Sequence, residues 1–285
     1  MKAAPFDYIK ATSLDHALSI LAENDDAGVI AGGQTLVPMM AMRLARPALL
    51  VDLNTIGELS GISATAESLV IGTMTRQATA QASDLVRKSA PLLAKGLAFV
   101  GHTQTRNRGT IGGSLAHGDP SAEIPLIATA LDAEIDLASK RGTRTVPIGE
   151  FYKGPLTSVR RADEILSEVR FPIWRDLRVG TGFQEISPRH GDFAIVAVAV
   201  QLGFDKSGAC CRAAVALGGA SPNPVRAREL ETALIEQPID TALLDRVVGS
   251  IDRVLSPSDD LHASADYRRR VARALTKRAI LEAIT

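Results

Sequence analysis

The sequence predicts an α+β protein in two parts, and three patterns carry that expectation. Short apolar strands alternate with glycine turns and amphipathic helices through the first part. Long alternating strands then run between Gly180 and Leu217. From Pro224 onward the pattern is helical throughout. A chain of 285 residues suits about two domains. We place the break in Ile173–Gly180, after Pro172 closes a strand, giving residues 1–175 and 176–285, with the first part divided again near residue 57.

Phe6–Ile9 opens as a strand. Leu14, Ala17, Leu18 and Leu21 then share one face of a helix, for which Thr12 and Asp15 read as the capping signal. Gly28–Ala31 is a short strand, Leu36–Leu44 a helical turn whose Met39, Met40 and Met42 read as core filler, and Leu49–Leu53 a buried strand. This strand–turn–helix–strand unit lacks G-x-G-x-x-G, so a Rossmann reading is rejected. Strands follow within Leu59–Thr73, a helix start at Thr75–Lys88, and helices over Pro91–Val100 and Pro125–Leu131. Ala133–Leu137 and Thr143–Val146 form a hairpin, and Glu164–Phe171 is a further strand. Beyond the break, Gly180–Ile186, Phe193–Phe204 and Ala209–Leu217 are antiparallel strands, the last two joined tightly by Asp205–Gly208. Helices over Val225–Ile235, Thr241–Ile251 and Ala265–Ile284 complete the chain.

Composition narrows the function. Lys+Arg and Asp+Glu are both 32, so no bulk field draws nucleic acid or an anionic membrane. The Arg268-Arg269-Arg270 run with Lys277 and Arg278 reads as a solvated or subunit-facing helix side. The longest aliphatic run, Ala194–Val200, is far short of the ~20 residues of a membrane span. MKAAPFDYIK lacks the apolar core of a secretion signal. The two cysteines, Cys210 and Cys211, are neighbours that point to opposite faces of a strand, as expected of reduced thiols in a cytoplasmic protein. Two thiols are also too few for an iron–sulfur cluster, and the five histidines show no paired metal-ligand spacing.

Two double-glycine stretches stand out, Ala31-Gly32-Gly33-Gln34-Thr35 and Thr110-Ile111-Gly112-Gly113-Ser114, the second beside Arg106 and Arg108. Glycine lets the backbone approach an oxyanion and present consecutive N–H donors, although a tight turn alone explains the same dipeptide. The segments AGGQTLVPMMAMRLARPALLVDL and RNRGTIGGSLAHGDPSAEIP closely resemble the FAD-binding medium subunit of the molybdenum hydroxylases, the carbon monoxide dehydrogenase and xanthine dehydrogenase family. The likeness runs nearly end to end through GDFAIVAVAVQL.

That resemblance implies an FAD-binding domain of the vanillyl-alcohol-oxidase type, in two subdomains, then a three-stranded antiparallel sheet with a helical bundle. It implies FAD contacts from Ala31, Gly32, Gly33, Gln34, Thr35 and Leu36, and from Thr110, Ile111, Gly112, Gly113 and Ser114. In this picture the diphosphate is held by two N–H-rich loops without a helix N-terminus. Glu123 matches an acidic position suited to ribityl hydroxyls, with an exposed helix-start residue as the alternative. His117, Leu166, Asp192 and Phe193 fall in matching segments, though three of them have a plain structural reading: a structural histidine for His117, core packing for Leu166, and a strand aromatic in the core for Phe193. Arg106 and Arg108 face phosphate or adenine, or form an internal ion pair that fixes the loop. The segment Phe183–Ser187 departs from the pattern, lacking the lysine that relatives frequently carry near the flavin.

By the same resemblance the chain is an electron-transfer subunit. A large subunit would carry the molybdopterin cofactor and a small one two [2Fe–2S] clusters, in a dimer of heterotrimers serving an external acceptor. No catalytic nucleophile or acid–base pair is evident in the sequence, which suits a relay whose flavin performs its own chemistry. A self-sufficient FAD-dependent reductase or oxidase of the same fold, and a non-catalytic nucleotide-binding scaffold subunit, are the alternatives.

Overall fold

The computed structural model describes residues 2–175 and 178–285. The expected break between residues 175 and 176 touches Asp176 and Leu177, which lie outside the described residues. The chain opens with β1 (Asp7–Lys10), α1 (Leu14–Glu23), β2 (Ala27–Ile30), α2 (Leu36–Ala41) and β3 (Leu49–Asp52). The three strands form a parallel sheet in the order β1-β3-β2. Helix α1 is capped by Ser13 rather than Thr12: the Ser13 hydroxyl accepts from the His16 N–H at 3.1 Å, while Thr12 Oγ1 meets the His16 ring. Met40 of α2 is buried, and Met42, which ends the helix, is exposed.

Next come β4 (Ile62–Ala64), β5 (Ser68–Gly72), α3 (Gln77–Ala82), α4 (Asp84–Ser89), α5 (Pro91–Gly96), α6 (Thr103–Arg108), α7 (Ile111–His117) and α8 (Glu123–Ala130). Strands β6 (Glu134–Ser139) and β7 (Gly142–Pro147) form the expected hairpin. Helix α9 (Ile148–Phe151) and a small unanticipated hairpin, β8 (Tyr152–Gly154) with β9 (Thr157–Ser158), lead into β10 (Ile165–Pro172). An antiparallel five-stranded sheet results, in the order β4-β5-β10-β6-β7. Its central strand β10 buries Leu166, Val169 and Phe171 against α7 and α8.

The C-terminal part holds β11 (Arg178–Ile186), β12 (Val196–Phe204) and β13 (Cys210–Gly218), the three long strands expected, plus a two-residue edge strand β14 (Val225–Arg226). Because Val225 and Arg226 pair with β13, α10 starts at Arg228 and runs to Leu234. Helix α11 (Thr241–Val247) passes into a 3-10 segment, and α12 (Ala265–Ile284) closes the fold. Strand β12 is buried on both faces: Ala197 and Ala199 join the core of the five-stranded sheet, while Val196, Val198, Val200 and Leu202 join the core under α10 and α12. Period-2 alternation between small and branched residues thus lets one strand serve two cores.

Helix α12 lies flush on β11. A Cβ at Gly180 or Gly182 would fall 1.7 Å from the Ala283 carbonyl oxygen and 1.9 Å from that of Ala279. The arginines of α12 are not a uniform solvated face. Arg268 is buried and donates to the Gly219 carbonyl at 2.7 Å and to Asp260, and Arg273 pairs with Asp252. Cys210 is buried and Cys211 exposed, on opposite faces of β13.

Candidate functional site

The first glycine stretch leaves β2 and enters α2. Among the described residues, the backbone N–H groups of Gly32, Gly33, Gln34 and Thr35 donate to nothing in the chain. Gly33 has φ +71°, the left-handed conformation that turns successive N–H groups toward one point, an anion-binding nest. Gly32 is glycine for another reason. Its Cβ would stand 2.4 Å from the Arg108 carbonyl oxygen and 2.8 Å from Gly109 Cα, so here the two glycine-bearing segments touch.

The second stretch is not a loop. Thr110 is the N-cap of α7, its hydroxyl accepting from the Gly113 N–H at 3.0 Å, and Ile111, Gly112 and Gly113 form the first turn. The Ile111 N–H donates to the Thr75 carbonyl at 3.0 Å, Gly112 to Thr73 at 2.9 Å, and Ser114 to Thr110 at 3.3 Å. The N–H groups of Ile111, Gly112, Gly113 and Ser114 are therefore spent inside the protein, and the expectation of two N–H-rich loops is corrected to one nest and one capped helix. Gly112 lacks a side chain so that α7 can lie on Thr73, whose Cα would be 2.8 Å from an added Cβ.

Between these segments opens a cavity of about 470 Å³, within the range of small-molecule sites. Ala31, Gly32, Gly33, Gln34, Thr35, Leu36, Thr110, Gly112, Gly113, Ser114, His117, Glu123, Leu166, Asp192 and Phe193 all line it. Ile111 does not. Its side chain is wholly buried in the apolar core between α7 and the five-stranded sheet, and its N–H is engaged, so it faces away from the cavity. Met39 also lines the cavity, against its reading as core filler.

Phe193 is 53% exposed at the cavity, so it is not a core aromatic. Glu123 opens α8 and is only 5% exposed, which removes its reading as a solvated helix-start residue. Burial pushes its carboxyl up to about 7, and the nearby Asp119 charge adds to the rise. Asp119 itself accepts from the Ser121 N–H at 2.8 Å. Arg106 donates to the Val100 and Gly101 carbonyls at 2.9 and 3.0 Å and to Gln81, so it braces its own loop. The Arg108 side chain does not line the cavity.

Residues that the sequence reading passed over also line it, among them Gln77, Thr105, Arg160 and Glu164. Arg160 places a cation in the wall, its Nη1 held by the Glu164 carbonyl at 2.7 Å and that of Arg161 at 2.9 Å, and burial lowers its pKa. Glu164 is buried and receives Arg144 through two bonds of 2.7 and 2.9 Å and the Arg161 N–H at 2.8 Å. The charge-dense run Arg160-Arg161-Ala162-Asp163-Glu164 just before β10 was the available signal. In the segment lacking lysine, Gln184 donates instead to Glu282 at 2.9 Å. Glu282 also takes Lys95 at 2.6 Å and the Phe183 N–H at 3.1 Å, and neither Lys95 nor Gln184 lines the cavity.

This lining fits FAD: four unengaged N–H groups suit a diphosphate, Glu123 and the Ser114 hydroxyl suit sugar hydroxyls, and apolar walls suit flat rings.

Comparison with known proteins agrees. Residues 4–174 match the family described as FAD binding domain in molybdopterin dehydrogenase, and residues 181–283 match the CO dehydrogenase flavoprotein C-terminal domain. The chain is 38% identical to the 6-hydroxypseudooxynicotine dehydrogenase complex subunit alpha of Paenarthrobacter nicotinovorans, over 100% of this chain and 96% of that one. It is 38% identical to caffeine dehydrogenase subunit beta of Pseudomonas sp. (strain CBB1), over 99% and 96%. Among solved structures, quinoline 2-oxidoreductase from Pseudomonas putida 86 superposes with a TM-score of 0.94 at 38% identity, covering 100% of this chain and 98% of that one.

Proposed function

This chain belongs to the FAD-binding family of the molybdopterin dehydrogenases, and from that premise we propose that it is the electron-relaying flavoprotein subunit of a three-component molybdenum hydroxylase. In this reading it receives electrons from the [2Fe–2S] clusters of a small partner, downstream of a large molybdopterin subunit. It passes them to an external acceptor, within a dimer of heterotrimers in the cytoplasm. The observation that carries the reading is the run of free N–H groups over Gly32–Thr35 at the cavity shared with α7.

The residues divide the work by chemistry. Gly32, Gly33, Gln34 and Thr35 would present N–H groups to the diphosphate, and Ser114 a hydroxyl. Glu123 would accept from sugar hydroxyls. Leu166 supplies apolar wall, and Phe193 sits where it can shield one face of a flat ring from water. When bound, FAD supplies the redox chemistry itself. The protein therefore needs to position it, exclude water and set the surrounding charge. Among the described residues, Arg160 is the one arginine or lysine in that wall.

The test is to express the chain alone, desalt it, record its visible spectrum and identify any released flavin by chromatography. Near-stoichiometric FAD is expected. A folded, colourless chain that refuses added FAD would overturn the site assignment. Purification from its source should bring iron- and molybdenum-containing partners. Recovery of the flavin-loaded chain alone, or steady turnover of a small substrate by it, would overturn the assembly.

A further inference from the structure

Strand β11 packs on α5, and α8 lies on the neighbouring strands β12 and β13 of the same sheet. At Gly96 of α5, an added Cβ would meet the Ile127 side chain at 2.2 Å and the Phe183 ring at 3.3 Å, so these three residues meet. Two residues beyond Phe183 on the same strand face is Glu185, and one helical turn before Ile127 on α8 is Glu123. Both steps span about 6 Å. Glu185 also shares its row of the sheet with Ala197 and Gly218, and the Gly219 N–H next along donates to the Pro120 carbonyl just before α8, so Glu185 faces the start of α8, where Glu123 lies in the wall of the cavity.

Among the described residues neither side chain takes part in an ion pair or accepts a hydrogen bond from a side chain, and Glu185 Oε2 is a buried oxygen without a partner. The surrounding charged groups are otherwise committed. Lys95 of α5 is bound to Glu282 and to the Thr181 carbonyl, and Glu282 of α12 takes Lys95, Gln184 and the Phe183 N–H. The register neighbour from β12 is the apolar Ala197. Asp119 lies in the turn before α8, His117 lines the cavity, and Arg189, His190 and Asp192 occupy the segment after β11. Burial raises Glu185 to about 8, with the Glu123 charge adding to it, and raises Glu123 to about 7. Two carboxylates sharing one buried site cannot both ionise freely.

We propose that Glu123 and Glu185 form a carboxyl pair that holds one proton at the cavity wall, making retention of the cofactor proton-dependent. Repulsion between the two buried groups favours the state in which one is protonated, so that the pair carries a single negative charge. Loss of that proton sets a second charge beside an anionic ligand. Glu123 is the member at the cavity, and Glu185 is a positioning residue acting through it. The proposal rests on the FAD reading above for its ligand, while the pair itself is testable without flavin.

Infrared pH titration of the flavin-free chain decides the pair. The native chain should show a carboxylic acid carbonyl band at pH 7 that titrates near pH 8. In E185Q and in E123Q the surviving carboxyl loses its repelling partner, so its midpoint should fall by a pH unit or more. No acid band at pH 7 in the native chain, or an unmoved midpoint in both variants, would overturn the pair. Titration with FAD follows. Native Kd should rise by up to about tenfold per pH unit above pH 8, the limit for one linked proton, and E185Q should flatten that slope. Tight FAD binding with no pH slope would sink the proton linkage and leave the flavoprotein reading standing. Failure of the native chain to bind FAD at pH 6 would sink that reading, while the infrared result still decides the pair.

Discussion

Replacing Gly32 with alanine probes the point on which the cavity depends. The added Cβ would sit 2.4 Å from the Arg108 carbonyl oxygen, 2.8 Å from Gly109 Cα and 2.9 Å from the Arg108 carbonyl carbon. All three are backbone atoms, so no side-chain rotation relieves the overlap, and restoring ordinary contact requires the segments to part by about 1 Å. Overpacking of this kind costs about 1–3 kcal/mol, offset by ~0.4–1 kcal/mol from the stiffer unfolded chain. A net loss of about 1.3 kcal/mol, the difference between the middles of those ranges, should appear as a lower urea midpoint at unchanged slope. The same displacement takes the N–H groups of the nest out of hydrogen-bond range, so FAD affinity should fall at least about tenfold. Gly57→Ala is the control, because nothing lies within 4 Å of its Cβ. A Gly32→Ala chain with native midpoint and native FAD affinity would refute the account of how the two segments meet.

Other outcomes follow from single contacts. Thr110→Ala removes the cap on Gly113, and calorimetry should show a loss of about 1 kcal/mol. Arg226 and Glu231 form a buried pair at 2.6 Å, with Arg226 also donating to the Ala130 carbonyl at 2.9 Å. Arg226→Ala removes the close partner of Glu231, leaving it the Val215 N–H at 2.8 Å and the exposed Arg228 at 3.5 Å, and should cost about 3 kcal/mol in urea, more than Arg228→Ala. Burial alone would raise the Glu164 carboxyl, but Arg144 and the Arg161 N–H outweigh it, leaving the pKa lowered. Its stabilising contribution is present above the usual glutamate range and is lost as pH falls below it. Stability measured from pH 7 down to pH 3 should therefore fall less steeply for Glu164→Gln than for the native chain.

Much of the architecture was legible because hydrophobic period and turn chemistry agree locally. The run Val196-Ala197-Val198-Ala199-Val200 reads as a strand whatever surrounds it, and Asp205–Gly208 closes a hairpin through its own Asp205 side chain, which accepts from the Ser207 N–H at 2.8 Å. What failed to show was set by distant partners. Gly112 and Gly113 have poor helix propensity, yet the Thr110 hydroxyl caps Gly113, the Thr73 carbonyl takes the Gly112 N–H and the Thr75 carbonyl that of Ile111, so a helix forms where a loop was expected. The two-residue β14 exists only because β13 offers it an edge. At the site, the glycine stretches announced themselves, whereas Gln77, Thr105 and Arg160 reach the cavity from elements whose local patterns carry no ligand signal. Glu185 looked like part of a segment notable only for a missing lysine. Its significance comes from Glu123, which lies on another element.

The contact of Gly32 with Arg108–Gly109 also sets an order of events. These residues lie far apart along the chain, with the whole of β3, β4 and β5 between them, so their meeting closes a long loop. Such closure is among the slower steps of folding, since its entropy is spent before its contacts form. The half-site on the β2–α2 turn and the half-site on α7 are each useless to a cofactor until that closure is complete. A cofactor that needs both half-sites is expected to bind after that closure, so the yellow colour of a flavin-loaded chain would report completed assembly of the cavity.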